Sequence, residues 1–331
     1  MKQIFKVAAL SITLALLALS ITSAIIPPTE DFIPSNPYWN GLETFTKAIN
    51  AKPGDPTLQT IIPEKTALFV IAPSKEKAKQ HIEFWREFAM NGGTLILMDE
   101  TEAVNSILEA LGINIRVDGH PMLDSVFYYS SWRIPKITNI ESSWLTKNVN
   151  YIAMNLPSVL NLSSPTYGLK IIAQSSSFSF LDLDGDGKPS NGEPTGPFPV
   201  AAEAPYGKGR VIIFSDSSIF INSIITLGDN ENLLHNIVGN RVVFVDTSVW
   251  RKNLHLTYRS IILSIYAMLS APELKYNLTI ITIILIYTLT HRRANIKADK
   301  EENIDAILSK HPSWDKRILQ ALKEARRKVA G

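Results

Sequence analysis

The sequence predicts an α/β fold: a doubly wound, mostly parallel sheet flanked by helices, with N- and C-terminal transmembrane helices. Three observations predict it. Continuous apolar runs of strand length alternate with stretches whose apolar residues recur at helical spacing, the rhythm of a parallel sheet with helices packed on it. Val7–Ile26 runs for 20 residues without a charge. Tyr276–Thr290 runs for a further 15.

The first of these apolar segments matches a hydrocarbon core of about 30 Å at about 1.5 Å per residue. Lys2 and Lys6 precede it and Pro27-Pro28 stop it. It is longer than the about 7–15 residues of a secretory h-region. That favours an uncleaved anchor over a cleaved signal, although Thr22-Ser23-Ala24 would suit cleavage.

Strands and helices then alternate. "TALFVIAP", Thr66 to Pro73, is a buried-type strand. In "SKEKAKQHIEFWREFAMNGG", Ser74 is placed to cap a helix, Ala78, Ile82, Trp85 and Ala89 share a face, and Gly92-Gly93 end it. "TLILMDE", Thr94 to Glu100, is the next strand, and "TEAVNSILEALG" the next helix. Residues 117–165 read as irregular. Strands return in "YGLKIIAQSS", "PFPVAAEAPYG" and "GRVIIFSD". A helix covers 229–238, and "RVVFVD" is the last strand. Gly207-Lys208-Gly209 precedes a strand, where a phosphate loop follows one, so it reads as a tight turn.

The second apolar segment is short for a span. Lys275 can snorkel, Tyr276 and Tyr287 suit an interface, and His291-Arg292-Arg293 follow. Ser260–Ala271 is too short to cross alone and meets a kink at Pro272. Lys2, Lys6, Arg292, Arg293 and Lys297 put both termini on the cytoplasmic side by the positive-inside rule. The expected organisation is an anchor or signal over 1–28 and an extracytoplasmic domain over 29–252. An apolar helix plus a span would occupy 253–291, and a cytoplasmic basic tail 292–331. That tail carries eleven Lys/Arg against six Asp/Glu, an excess suited to anionic lipid. Its last helix aligns Trp314, Ile318, Ala321, Leu322 and Ala325, with Ser313 placed to cap it.

Composition narrows the chemistry. The 331 residues carry a net charge of only +2 and no cysteine. Nothing global points to nucleic acid, and disulfides, thiolate metal sites and a cysteine nucleophile are excluded. There is no G-x-S-x-G elbow. The six histidines, 81, 120, 235, 255, 291 and 311, show no paired metal spacing.

One motif does carry chemistry. "LDLDGDGKPSNGEP", Leu181 to Pro194, fits the D-x-[DN]-x-[DN]-G-x5-E calcium loop. Asp182, Asp184 and Asp186 would be the first ligands, Lys188 would offer its carbonyl, Ser190 a water-mediated contact, and Glu193 both oxygens. The flanks are extended rather than helical, and Pro189 departs from the paired EF-hand. The predicted cofactor is a structural Ca²⁺. The alternative is a polar Asp/Gly turn without metal. Asp99, Glu100 and Asp216 fall at carboxyl ends of predicted strands, where α/β sheets bind ligands. They suit a ligand site, or else turns and caps.

Trp39-Asn40-Gly41, Phe88…Gly92-Gly93-Thr94 and Tyr206-Gly207-Lys208-Gly209-Arg210 add a further signal. With Ser215-Asp216 to Asn222 and Asp229-Asn230…Asn236, they resemble a family of membrane-anchored envelope proteins of unknown function. That family carries a domain similar to class I glutamine amidotransferases. The resemblance spans about residues 35 to 250. It extends to auxiliary domains of gliding and transport systems. It implies a Rossmann-like fold without the catalytic cysteine, membrane and envelope-protein partners, and an assembly linked to a MoxR-type ATPase. The expected function is a non-catalytic, membrane-tethered binding or scaffold protein. The alternative is a divergent carboxylate-based hydrolase using Asp99, Glu100 and Asp216.

Overall fold

A computed structural model describes residues 2–162, 168–250, 254–301 and 304–330. The chain divides into two compact units, Met1–Thr257 and Tyr258–Gly331.

The first unit begins with α1 (Lys2–Ile25), followed by α2 (Glu43–Ala48) and β1 (Lys52–Gly54). β2 (Thr66–Ile71), α3 (Lys75–Met90) and β3 (Thr94–Met98) form a βαβ unit. Both strands are buried along their whole length, as their unbroken apolar runs require. α3 buries Ala78, His81, Trp85, Phe88 and Ala89, one helical face. Ser74 stands at its N-cap position but makes no side-chain cap bond. Its backbone N–H donates instead to the Val249 carbonyl at 2.9 Å.

After α4 (Asn105–Ala110) come six short strands: β4 (Ile115–Val117), β5 (Met122–Asp124), β6 (Lys136–Ile137), β7 (Asn139–Ile140), β8 (Ile152–Ala153) and β9 (Leu160–Leu162). The unit closes with β10 (Lys170–Gln174), β11 (Ser179–Leu181), β12 (Pro199–Tyr206), β13 (Gly209–Phe214), α5 (Asn230–Val238) and β14 (Val242–Asp246).

Eight strands form the main sheet, in the order β1-β14-β2-β3-β13-β12-β10-β7. β1 to β13 in that order run parallel. β12, β10 and β7 then continue the sheet antiparallel. The sheet is therefore mixed, which corrects the mostly parallel expectation. The cause is the connection. β12 and β13 are joined only by Gly207-Lys208, with Tyr206 opposite Gly209. A two-residue link can only return the chain antiparallel. This hairpin is pressed onto the end of α3. A Cβ at Gly209 would stand 2.2 Å from the Gly93 carbonyl oxygen and 2.5 Å from that of Ala89. Both edge strands are short, and β1 contains Pro53.

Helices cover both faces. Phe69, Ile71, Ile96 and Met98 point to one core with Phe45 of α2 and Leu233, Leu234 and Ile237 of α5. The alternate residues Leu68, Val70, Leu95 and Leu97 point to the other, with Trp85 of α3 and Ile107 of α4. The period of two divides each apolar strand between two cores. β11 pairs with β5, β4 with β9 and β6 with β8 in three small sheets. α5 holds this region by its polar side chains. Buried Asn230 accepts from Ala153 N at 3.0 Å and donates to the carbonyls of Ala153, Ile219 and Ile224. Asn236 donates to Leu145 and Lys147.

α6 (Leu254–Ser270) leads into the second unit, which continues through α7 (Pro272–Glu301), α8 (Ile304–Lys310) and α9 (Lys316–Ala330). Pro272 stands at the start of α7, where its fixed φ fits. The first turn of α9 is capped by Asp315, which accepts from Arg317 N at 2.8 Å, rather than by Ser313. Ile318 and Leu322 are exposed.

Among the described residues, no helix is long and apolar enough to cross a membrane. This overturns the expected N- and C-terminal transmembrane helices. It also removes the two-span localisation built on them, with the main domain extracytoplasmic and both termini cytoplasmic. In α7 the uncharged part is limited to Tyr276–Thr290, about 22 Å at 1.5 Å per residue and short of about 30 Å. The side chains of Lys2, Lys6, Arg292, Arg293 and Lys297, on which the orientation rested, lie outside the described residues.

Candidate functional site

Two adjacent strands of the sheet send the chain to opposite faces. From β3 it passes to α4, in the core of one face. From β13 it passes to α5, in the core of the other. Such a switch point opens a crevice at the carboxyl ends of the two strands. Two hollows lie there. The larger, about 670 Å³, is lined by Glu30, Asp31, Lys75, Asp99, Glu100 and Trp250 among others. The smaller, about 350 Å³, includes Asp31, Trp39, Glu100, Asn155 and Ser218. Asp31, Phe32 and Glu100 line both, so the two are parts of one crevice.

The three acids expected at strand ends all stand here. Asp99, almost fully buried, accepts from Thr101 N at 3.1 Å and Val104 N at 2.8 Å, and from the Thr101 hydroxyl. Burial pushes its pKa up to about 7; the Val104 and Thr101 N–H groups oppose the rise and the Glu100 charge adds to it. Asp216, fully buried, accepts from Asn155 N and Ser218 N, each at 2.6 Å. Burial, then the Glu100 charge, pushes its pKa up to about 8. Glu100 bridges the switch point by accepting from Ser217 N at 2.9 Å and from the Ser217 hydroxyl. Asp99 and Glu100 line the crevice, while Asp216 supports it from within. The sequence reading missed Asp31 and Trp250, and singled out Trp39 without placing it at a site; all three arrive from loops. Trp250 Nε1 donates to the Ile71 carbonyl at 2.7 Å and so is fixed beside β2.

A serine–histidine–aspartate grouping also escaped notice. Ser248 Oγ lies 3.2 Å from His81 Nε2, and His81 Nδ1 lies 4.0 Å from Asp246 Oδ2. The Ser248 hydroxyl donates to Asp246 Oδ1. Its one proton is therefore directed at the carboxylate, and His81 is not placed to take it. Ser248 N also donates to Asp246 Oδ1, so the pair reads as a turn at the end of β14. Burial raises the Asp246 pKa.

The acidic loop leaves β11 at Asp182. Its base is closed by Leu181 N donating to the Pro194 carbonyl at 3.1 Å. Carboxylate oxygens of Asp182, Asp184 and Glu193 lie within 4.8 Å of one another. Two oxygens on opposite sides of a Ca²⁺ ion stand about 5 Å apart, so this trio fits one ion. Gly187, at a φ of 72°, turns the chain so that its N–H reaches Asp182. Glu193 accepts from Leu183 N at 2.8 Å and Ser190 N at 2.9 Å. Asp186 is not in the trio; it accepts from Lys188 N at 2.7 Å.

No curated protein matches this chain. The N-terminal domain of mmIFT52 aligns at 14% identity over 50% of this chain and 73% of its own, with a TM-score of 0.39. The cytoplasmic protein STM1381 from Salmonella typhimurium LT2 aligns at 12% identity over 52% of this chain and 70% of its own, with a TM-score of 0.30. A family model described as a domain of unknown function, DUF4350, matches residues 34–238. None of these descriptions indicates a glutamine amidotransferase or a membrane-anchored envelope protein. The amidotransferase-like resemblance is corrected accordingly: it rested on turn-forming Gly, Asn and Asp, such as the Gly207-Lys208 hairpin and the Asn230 staple, which serve this mixed sheet. With a match over more than half of its length, the chain belongs to the DUF4350 family of unknown function.

Proposed function

We propose that this protein is a non-catalytic binding protein whose α/β unit takes a ligand in the crevice between β3 and β13. One observation carries the reading. The crevice offers a volume of ligand size, while Asp99 and Glu100, the acids at its strand ends, are committed to backbone N–H groups of the fold. General acid–base work needs a carboxyl group within reach of the substrate's proton and free to exchange it. Asp99 and Glu100 instead hold the turns that follow β3 and β13.

A carboxylate hydrolase is the second reading, favoured by the pKa of about 7 at Asp99. A thermal-shift screen of a metabolite library, with mass spectrometry of each hit after incubation, separates the two. A ligand that raises Tm and is recovered unchanged supports a binding protein. Conversion of the hit, abolished in Asp99→Asn, overturns it.

We also propose that the loop 182–193 holds one structural Ca²⁺, with Asp182, Asp184 and Glu193 as its core. Asp186, the Lys188 carbonyl and a water on Ser190 complete the set. The ion would neutralise carboxylates that otherwise repel within one loop.

A further inference from the structure

We propose that Asn191 is a self-modifying site. With Gly192 it closes to a cyclic imide in the folded protein and opens to aspartate or isoaspartate. The fold holds the other two Asn-Gly pairs of the chain against the same reaction.

The chemistry uses only the chain and water. The Gly192 backbone nitrogen attacks Cγ of the Asn191 side chain, and a new C–N bond closes the imide. The Cγ–Nδ2 bond breaks, and ammonia leaves with the proton that the Gly192 nitrogen gave up. Water then adds to either imide carbonyl and opens the ring. The net change is one water taken up and one ammonia released. The attack needs a backbone nitrogen without a hydrogen bond, a side chain free to turn onto it, and no Cβ on the attacking residue. Glycine meets the last condition and lets the backbone rotate.

The sequence holds three such pairs, Asn40-Gly41, Asn91-Gly92 and Asn191-Gly192. The fold treats them differently. Gly41 N donates to the Tyr38 carbonyl at 3.0 Å, and the Asn40 amide donates to the Thr29 carbonyl and to Asp31. Gly41 is also pressed on Asn36, where a Cβ would stand 2.0 Å from the carbonyl oxygen. Gly92 N donates to the Ala89 carbonyl at 3.2 Å, at the end of α3, and a Cβ there would lie 2.7 Å from Glu64 Cγ. At the third pair both residues are exposed, and neither the Gly192 N–H nor the Asn191 side chain has a hydrogen-bond partner among the described residues. A Cβ at Gly192 would meet nothing within 4 Å, and its φ is 95°. The pair forms the centre of a turn fastened at its ends. Glu193 N donates to the Ser190 carbonyl at 3.2 Å, and Ser190 N to the Glu193 carboxylate at 2.9 Å. The reacting atoms can rotate while those ends stay in place.

Ring opening adds a carboxylate to the acidic loop. The isoaspartyl product also lengthens the main chain by a methylene just ahead of Glu193. That displaces a proposed ligand, and a bound ion that fixes Glu193 should slow the reaction in turn. This coupling rests on the Ca²⁺ reading above; the reaction itself does not.

The test is peptide mapping by mass spectrometry after the full chain is incubated in neutral buffer, folded and in urea, with calcium and with chelator. In urea the three pairs should react at similar rates. In the fold with chelator, position 191 should convert about tenfold faster than 40 or 91, the factor for one hydrogen bond that must first break. Asn191→Gln keeps the amide but disfavours the small ring, and should abolish the mass gain in the peptide that spans the loop. Equal rates at the three pairs in the fold, conversion of 40 or 91 ahead of 191, or a mass gain that persists in Asn191→Gln would each overturn the assignment. Calcium should slow conversion at 191 several-fold. An unchanged rate in protein whose Tm rises with calcium removes the coupling. If Tm is also indifferent to calcium, the Ca²⁺ reading falls and the modification site stands.

Discussion

Replacing Asp99 with Asn should change how stability depends on pH, and the structure gives the size. Asp99 has a pKa of about 7 in the fold against 3.8 for the free group. The folded state therefore keeps a proton that the unfolded chain releases. Stability from this group is fully present below about pH 4 and is lost as pH rises to about 7, after which both states are ionised and the loss stops. The shift of about 3 pH units corresponds to about 4 kcal/mol at 1.36 kcal/mol per unit, an order-of-magnitude figure. Asparagine does not titrate. Its oxygen can still accept from Thr101, while its amide group faces Val104 N and loses that bond. The variant should be less stable than wild type at pH 4.5, by about 1–3 kcal/mol for an unsatisfied buried donor. The gap should close, and on this arithmetic reverse, by pH 7.5. Urea unfolding of both proteins at half-unit intervals from pH 4 to 8 measures it. Parallel profiles across that range would refute the argument, because Asp99 would then be ionised in the fold throughout.

Three other outcomes are expected. Gly209→Ala forces a Cβ to within 2.2 Å of the Gly93 carbonyl oxygen; it should cost about 1–3 kcal/mol or more in guanidinium unfolding, and a neutral result would mean the hairpin is not pressed on α3. Asn230→Leu removes four hydrogen bonds of a buried side chain and should cost about 2–4 kcal/mol, with hydrogen exchange rising first at the Ala153 amide. Calcium in the millimolar range should raise Tm relative to chelator, by about 2.7 kcal/mol of stabilisation at a hundredfold excess over Kd; Glu193→Ala should abolish the gain, and an unchanged Tm in wild type would make the loop a polar turn.

The parts legible in the sequence were those with a local signal. β2 and β3 announced themselves as unbroken apolar runs, and α3 and α5 by their spacing. The acidic loop was legible as a motif, and Asp99, Glu100 and Asp216 were legible by position at strand ends. The mixed character of the sheet was only partly so: the tight turn at Gly207-Lys208 carried the antiparallel return of β12 to β13, while the addition of β10 and β7 beyond β12 is a non-local choice. β6, β7 and β8 have two residues each, too few for any period to show. The crevice walls contributed by Asp31, Trp39 and Trp250 were equally hidden. They come from loops far apart in the chain and meet only after the sheet has formed. The two apolar terminal segments misled for a related reason: an uncharged run reports hydrophobicity without reporting what it lies against.

The edge strands of the main sheet, three residues in β1 and two in β7, limit how this protein can be approached. A sheet that ends so abruptly, with a proline on one border, offers little unpaired backbone for a foreign segment to copy. Recruitment by strand addition, which reads main chain and tolerates many sequences, is thereby disfavoured at both borders of the main sheet. Selection at the crevice then falls to side chains. Its choice of partner can then be rewritten by point substitutions on the rim of the crevice while the sheet beneath keeps its register.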